Sequence, residues 1–305
     1  MLKYILKRLV ALIPVIMGVT LLVFVIMQLA PGNPARMILG EMATPEQVAA
    51  LEEEMGLNKP LLERYFNYML NFLRGDMGTS YYKSTSVVSE VMSRFPYTAK
   101  LAGVAAILTL IMSIPIGVMA AVKQNSVFDN ASLVVTLLGI SMPVFWLGLL
   151  LIITFSLKLD LFPTGGADTW KSYIMPAFCL AFSNMSTMAR TTRSSMLETI
   201  RQDYVRTAAA KGVPRKAVIL RHAFRNALIP TITVLGIQMS QLLGGSVVVE
   251  TVFAWPGVGR LMIDSISGRD TPMVLGCIVL LTILFSVLNL VIDLCYAVAD
   301  PRIKY

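Results

Sequence analysis

Charged side chains are scarce in this sequence of 305 residues: Asp, Glu, Lys and Arg make up 14% of it, and hydrophobic residues make up 56%. Soluble domains carry about 25% charged residues. The charges are also clustered, and long uncharged intervals separate the clusters. This pattern argues against a water-soluble protein and predicts a chain whose main solvent is lipid.

Residues that build metal and catalytic sites are few. Histidine occurs once, as His222, and the cysteines are Cys179, Cys277 and Cys295, all in apolar stretches. An odd number of such cysteines argues against a disulfide framework and a cysteine metal site, so we interpret them as small buried hydrophobes. One histidine cannot form a multi-histidine zinc site, and we interpret His222 as a surface residue.

The sequence also lacks a phosphate-binding loop of the form G-x-x-x-x-G-K-[ST], so ATP would have to be bound by a partner. Its apolar intervals hold no pair of carboxylates, whereas proton-driven carriers and intramembrane aspartyl proteases need ionisable groups at depth. Glu250 and Asp293 are predicted near the two interfaces, where a charge can reach water. We therefore expect neither a catalytic residue, nor a metal site, nor a cofactor in this chain.

Six intervals are apolar and long enough to cross about 30 Å of hydrocarbon as helices. The first is interpreted as a retained anchor and not as a cleaved signal, because it is long for a signal and lacks a convincing cleavage site. The predicted spans are Leu9–Ala30, Leu101–Val122, Asn130–Leu157, Ser172–Ala189, Asn226–Val249 and Thr271–Ile292.

Positive charge gives the predicted orientation. With the N-terminus inside, 15 of the 26 Lys and Arg residues are cytoplasmic, including nine between Arg190 and Arg225 and two in the tail, Arg302 and Lys304. Short cytoplasmic loops are rich in Lys and Arg. The sequence therefore predicts an all-α, multi-pass protein of the cell membrane, with both termini inside, and the topology rule accounts for the net charge of +8 without nucleic acid.

We divide the chain into an N-terminal anchor helix at 1–30, an extracytoplasmic segment at 31–95 and a five-helix core at 96–305. In the segment, Thr44 followed by Pro45 predicts a capped helix start, and Gly56 its end. A second short helix is predicted over Leu61–Leu73, ending at Gly75.

Uncharged polar residues inside two spans are candidates for a translocation path. Gln238, Gln241 and Gly245 recur at i, i+3 and i+7, and Asn184 lies in the fourth span. The same residues could instead form hydrogen bonds between helices or permit close helix packing. The sequence leaves both uses open.

The cytoplasmic loop at 190–227 is predicted to form a helix-turn-helix. Glu198–Lys211 is predicted as one helix, with an apolar stripe at Ile200, Tyr204 and Ala208. Gly212 and Pro214 would end it, and a second helix would lead from Pro214 to Leu228. Small residues at 207–210 flanked by cations fit a docking surface for a protein, although the composition alone favours a basic helix lying on anionic lipid.

Four stretches resemble the permeases of ABC importers, in the branch that carries dipeptides, oligopeptides and nickel. The longest is the loop Asp203–Pro230, DYVRTAAAKGVPRKAVILRHAFRNALIP. The others, in the same order as in the family, are LAPGNPA at 29–35, GDMGTS at 75–80 and VVVETVFAWPGVGRLMIDSISGRDTP at 247–272. The first permease of such importers is the one with a sizeable segment after its first span, as here.

The resemblance implies a type I importer permease fold and a coupling role for the loop helix, which would insert into a groove of a cytoplasmic ATPase. Carried over to this sequence, the coupling residues are Tyr204, Arg206, Thr207, Ala208, Ala210, Lys211 and Gly212. The implied partners are a related second permease, two ATPase subunits that bind ATP and Mg²⁺, and an extracytoplasmic solute-binding protein. Candidates for contact with that protein are 31–95 and 251–270, whose alternative role is to cap the helix bundle and shield its buried ends.

The sequence departs from the general permease signature, which opens with Glu-Ala-Ala where Arg206, Thr207 and Ala208 stand here. The function expected is import of peptides, with a nickel chelate as the alternative within the family. An ATP-independent channel is the alternative of another class, but it leaves the helix-turn-helix without a use. A membrane enzyme would need a reactive constellation that the sequence lacks.

Overall fold

The computed structural model describes residues 2–299, without the side chains of residues 2, 3, 229 and 295–299. Arg302 and Lys304, counted above for the orientation, and the thiol of Cys295 lie outside this part. The described chain is helical, and its one β-type pairing is an isolated bridge between Thr79 and Ser86. The α-helices are α1 Leu2–Leu29, α2 Pro34–Leu39, α3 Pro45–Glu54, α4 Leu61–Leu73, α5 Val87–Val122, α6 Val127–Ser141, α7 Val144–Leu151, α8 Ile174–Ile200, α9 Asp203–Ala210, α10 Arg215–Ala217, α11 Phe224–Val252, α12 Val258–Ser267 and α13 Thr271–Ala299.

Three shorter helical pieces join these elements. A π-helical stretch, Ile152–Lys158, extends α7, and a second one, Val218–Ala223, connects α10 to α11 without a break. A short 3₁₀ helix, Trp170–Tyr173, leads into α8. The predicted second loop helix therefore does not end at Leu228, because the backbone stays helical from α10 through α11.

Four described stretches are long and apolar enough to cross a membrane: Tyr4–Leu29, Val87–Val122, Pro230–Val252 and Thr271–Leu294. A fifth is possible if the bent pair of α6 and α7 with its π-helical extension counts as one span. The predicted span Ser172–Ala189 starts in the 3₁₀ helix and continues in helix α8, which is long enough to cross a membrane but too polar to qualify as an apolar span. The structure thus gives four or five apolar spans where six were predicted.

The predicted span Asn130–Leu157 is not one straight helix. The axes of Val127–Ser141 and Val144–Lys158 differ in direction by 107°. The break lies at Met142 and Pro143, which both have extended backbones, and Pro143 is the N-cap of the next helix. A proline disfavours helical geometry in the residue before it, which accounts for the bend at this position.

The described chain forms two compact units. One comprises residues 2–98 together with 256–290, and the other comprises 99–255 together with 291–299. The predicted division at residues 30 and 95 refers to sides of a membrane, and it stays a prediction.

The first unit contains the predicted helices of the extracytoplasmic segment. Helix α3 begins at Pro45 with Thr44 as its N-cap, and Thr44 and Gln47 form the reciprocal capping box. Helix α4 has the predicted bounds. It packs against α1, where the Tyr65 hydroxyl donates to the carbonyl of Met17 at 2.7 Å and its ring meets Phe24 edge-on at 5.9 Å.

The second unit has an apolar core around the ends of α8 and α11. Phe253 and Trp255 are its largest fully buried side chains, and the ring of Trp255 meets Tyr173 edge-on at 4.5 Å. Glu250, predicted at an interface with access to water, is fully buried instead. The turn after α11 folds back over this region, and the Trp255 amide donates to the Glu250 carbonyl oxygen at 2.8 Å.

Close backbone approach brings α6 onto α8. A Cβ placed on Gly139 of α6 would lie 2.0 Å from the Oγ of Ser186 and 3.0 Å from its Cβ. Ser186 is fully buried, and its hydroxyl donates to the carbonyl of Phe182 at 2.8 Å. Only glycine leaves room for this approach, as is usual where helices pack through small residues.

We expect Gly139→Ala to destabilise the second unit, because the added methyl group overpacks the contact with Ser186. Overpacking costs about 1–3 kcal/mol, partly offset by the better helix propensity of alanine. The apparent melting temperature of the purified protein in detergent should fall by several degrees. The matched control is Gly103→Ala in α5, where a new Cβ meets no atom within 4 Å. Equal melting temperatures for both variants would contradict the close approach.

Candidate functional site

The predicted helix Glu198–Lys211 is two helices in the structure. Helix α8 ends at Ile200, Gln202 has an extended backbone with ψ of 147°, and α9 starts at Asp203. The prediction failed because Arg201 and Gln202 have good helix propensity, so nothing local marks the break. What requires the break is the packing of α9 against the rest of the second unit.

Helix α9 is held by its own apolar face. Val205 and Ala208 are buried in a cluster with residues from α5, α8 and the stretch leading into α11. The other buried members of this anchor cluster are Ala121, Met196, Val218, Ala223 and Ala227. The predicted stripe of Ile200, Tyr204 and Ala208 is therefore shifted, and Val205 takes the place of Tyr204.

Most of the predicted coupling residues lie on the open side of α9 and of the turn after it. Arg206, Thr207, Ala210, Lys211 and Gly212 are exposed. Tyr204 is 42% exposed, and its hydroxyl accepts a hydrogen bond from Nδ2 of Asn226 at 2.7 Å. Ala208 differs from them, since it is 8% exposed and packs in the anchor cluster.

A Schellman turn ends α9. Gly212 has a φ of +78°, its amide donates to Ala209, and the amide of Val213 donates to Ala208 at 3.3 Å. This is the arrangement that satisfies the last carbonyls of a helix and favours glycine in the left-handed position. The predicted helix stop at Gly212 is confirmed.

An ion pair joins the start of α6 to α8 near the loop. Nε and Nη2 of Arg193 donate to Oδ1 and Oδ2 of Asp129 at 2.6 and 2.7 Å. The Asp129 side chain is 1% exposed and that of Arg193 is 20% exposed. Bidentate geometry of this kind fixes orientation as well as distance. Sequence analysis missed the pair, because the two residues are far apart in the chain and neither has a local motif.

The predicted path residues do not share one environment. Asn184 and Gln238 are buried, and Asn184 donates to the carbonyl of Leu180 within its own helix at 2.8 Å. Gln241 is exposed, and a Cβ on Gly245 would make ordinary contact with Leu180 at 3.6 Å. The side-chain oxygen of Gln238 is buried without a hydrogen-bond partner.

Residues 256–270, which include helix α12, form a polar site within the first unit. The Ser80 hydroxyl bonds to a carboxylate oxygen of Asp270, and the amide of Val258 donates to the Thr98 hydroxyl at 2.9 Å. The Arg269 guanidinium donates to the carbonyl of Ala30 at 2.8 Å and also to Pro31. A cavity of about 410 Å³ opens beside these residues, lined by Lys83, Arg94, Arg260 and Asp264 among others.

The remaining candidate residues are one histidine and two cysteines. His222, predicted at the surface, is half-buried, whereas Cys179 and Cys277 are buried as predicted. Within residues 2–299, no group of three His, Cys, Asp or Glu side chains is arranged to hold a metal ion.

Comparison with known families identifies two adjoining matches that together cover most of the chain. Residues 113–305 match the binding-protein-dependent transport system inner membrane component. Residues 1–102 match the N-terminal part of the same kind of membrane component. The chain belongs to this family. It is a permease subunit of an ABC importer and a multi-pass protein of the inner membrane.

Curated relatives align with the permease over its full length. It is 43% identical over 305 residues to the glutathione transport system permease protein GsiC of Salmonella typhimurium (strain LT2), covering 100% of both chains. It is 42% identical, with the same coverage, to GsiC of Escherichia coli (strain K12).

Solved structures of ABC transporters share the fold. An inward-facing form of the MetNI methionine ABC transporter matches with a TM-score of 0.58 and 17% identity, covering 69% of this chain and 96% of that one. An amino acid ABC transporter crystallised with histidines matches with a TM-score of 0.56 and 15% identity, covering 68% and 93%. The permease thus has the predicted type I importer fold.

We expect Asp129→Ala to lower the free energy of unfolding by about 3 kcal/mol, because it leaves the Arg193 guanidinium largely buried without its carboxylate. Arg193→Ala and the double variant complete a thermodynamic cycle. The free energy of unfolding should fall clearly less in the double variant than the sum of its decreases in the two single variants, as measured by denaturation in mixed micelles. Additive losses would show that the two side chains do not interact.

We expect Gly212→Ala to loosen the end of α9, because a left-handed backbone costs a residue with a Cβ about 1–2 kcal/mol. No neighbouring atom lies within 4 Å of that Cβ position, so the expected destabilisation comes from backbone strain alone and not from a steric clash. Hydrogen exchange of the amides at 207–213 should become faster. Gly212→Asn is the control, since asparagine tolerates this conformation better. Equal exchange in both variants would contradict the prediction.

Proposed function

We propose that this permease imports small peptides, as one of two related permeases in a complex with two ATPases and an extracytoplasmic solute-binding protein. The observation that carries the substrate class is the full-length likeness, at 43% identity, to permeases named for glutathione transport. Glutathione is a tripeptide, so the proposed cargo is a peptide of similar size. The nickel-chelate alternative draws no support from these relatives.

The coupling role of the loop is supported by where α9 lies and how it is held. Its exposed residues at 204, 206, 207 and 210–212 form one continuous surface, which is the proposed ATPase contact. Val205 and Ala208 attach that surface to α5, α8 and α11. We therefore assign Ala208 to the anchor and the other six residues to the contact.

In this proposal the permease contacts the ATPases and contains the path, so it needs no catalytic residue of its own. The partner ATPases would bind ATP with Mg²⁺, and hydrolysis there supplies the free energy of transport. Closure of the ATPases would move α9, the anchor cluster would pass the movement to α8, and the ion pair of Arg193 with Asp129 would pass it from α8 to α6. An importer must have at least two packed arrangements of comparable free energy for such a movement to switch.

The buried side chain of Gln238 is evidence for part of the proposed translocation path. A buried amide oxygen without a partner costs about 1–3 kcal/mol, and a neighbouring subunit or a passing polar solute would recover that cost. Gln241 lies one turn away and is exposed. Asn184 already bonds within its own helix. We therefore propose the α11 side, with Gln238, Gln241 and Gly245, as the path, and Asn184 as a packing residue.

The proposal is tested by reconstituting the whole complex in liposomes and measuring ATP hydrolysis and uptake of labelled glutathione. Binding protein loaded with peptide should stimulate hydrolysis and uptake together. Ala210→Arg should abolish the stimulation without loss of folding, because Ala210 is exposed and the new side chain blocks docking. Val127→Arg at the start of α6, which is also exposed and lies outside every proposed contact, is the matched control and should leave stimulation intact.

Two results would overturn parts of this assignment. Full stimulation in the Ala210→Arg complex would remove α9 from the ATPase contact. Uptake of the peptide by the purified permease alone, without ATP, would replace the importer mechanism by a channel.

A further inference from the structure

A groove opens on the surface of the second unit next to the anchor cluster. Its wall consists of Val118, Met119 and Val122 from α5 and of Ile219 and Leu220 from the π-helical stretch. Met119 and Leu220 are 43% and 48% exposed. The volume is about 350 Å³, which is at the lower end for ligand sites, roughly 300–1,000 Å³. The groove therefore has room for part of a long apolar molecule.

Three cations stand at the rim of this groove. Lys123 follows the last residue of α5, and Arg215 and Lys216 form the start of α10. All three are exposed. Among the described residues none of them forms an ion pair with a carboxylate, and the groove itself is lined by no acidic side chain. The nearest buried acid along the chain, Asp129, is already bound by Arg193.

The place of the rim relative to the membrane indicates the occupant. Val122 ends an apolar span, so Lys123 is at the depth where lipid headgroups begin. The predicted orientation puts this end of α5 in the cytoplasmic leaflet, which carries the anionic lipids. A groove with an apolar wall and an unpaired positive rim is complementary to an acyl chain with a phosphate at its end.

We propose that this groove is a specific binding site for an anionic phospholipid of the cytoplasmic leaflet. Lys123, Arg215 and Lys216 hold the phosphate, and one acyl chain lies along Met119, Ile219 and Leu220. A segment of a partner protein fits less well, because the wall offers almost no polar atoms to its backbone. The site is distinct from the proposed ATPase contact on α9.

The lipid site also contacts residues that support α9, so bound lipid can affect coupling to the ATPases. This part of the inference rests on the function proposed above. Val118 and Ile219 line the groove and at the same time pack against the cluster that anchors α9. A bound acyl chain thus contacts the opposite side of the residues that support Val205 and Ala208. Occupancy of the groove would stiffen the support of α9, and we expect anionic lipid to increase the ATPase stimulation.

Lipid binding is measured first, because it does not depend on transport. The purified complex is exchanged into micelles that contain phosphatidylglycerol or phosphatidylcholine, and retained lipid is counted by native mass spectrometry. Each Lys or Arg near the phosphate contributes about fivefold in affinity. The triple variant Lys123→Gln, Arg215→Gln, Lys216→Gln should therefore bind phosphatidylglycerol about a hundredfold more weakly than the unmodified complex.

The matched control removes three other exposed cations, Arg36, Arg74 and Lys171, and should retain the lipid. Met119→Trp fills the groove and leaves the rim charges in place, so it should also weaken retention. Glycerol 3-phosphate, which has the headgroup chemistry without the acyl chain, should not displace the lipid.

Three results would overturn the proposal. Unchanged retention in the triple variant would exclude the site, as would equal retention of phosphatidylcholine. Loss of the ATPase subunits from the triple variant, with unchanged lipid, would assign the surface to a protein contact. If lipid retention behaves as expected while peptide uptake fails in every complex, the lipid site stands and the proposed function falls.

Discussion

The second unit depends on keeping a polar helix inside a bundle of apolar ones. Helix α8 carries a series of hydroxyl and amide side chains that lipid cannot satisfy. They are satisfied locally, because each donates to the carbonyl one turn earlier in the same helix: Asn184, Ser186, Thr187, Thr191, Thr192 and Thr199. These hydroxyl and amide groups can therefore be packed closely by α6, α7 and α11 without polar partners from those helices, whereas the charged Arg193 takes Asp129 of α6.

The same arrangement determines what α8 presents at its ends. Near its start, Cys179 packs in the core with Phe253 and Trp255. Near its other end, Arg193 binds Asp129, and Met196 enters the cluster below α9. One helix thus connects the buried turn after α11 to the cluster that holds α9. Helix α8 is too polar to count as an apolar span, and it is also the helix that the other helices of the second unit surround.

Local sequence signals predicted much of the fold and of the loop. The capping box at Thr44, the bounds of α4 and the stop at Gly212 were predictable, because each depends on residues close together in the chain. The family resemblance identified the loop and the fold class. The bend at Met142 had a local signal too, in Pro143, but hydropathy alone interprets two apolar helices as one span.

What could not be predicted depends on residues brought together from distant positions. No sequence motif near Asp129 or near Arg193 indicates their contact. The burial of Glu250 results from the turn that folds over it. The break at Gln202 arises because Val205 and Ala208 must reach a cluster built from other helices. For that reason the sequence predicted the loop helix but not which of its faces is buried.

The turn after α9 limits how far that helix can move by itself. Only residues 211–214 separate α9 from the helix that begins at Arg215 and continues through α11. Five Cα steps span roughly 18 Å even when fully extended, and here the Schellman bonds and Pro214 keep them compact. The connection is thus short and rigid. Any displacement of α9 must therefore also displace the helix that continues into α11.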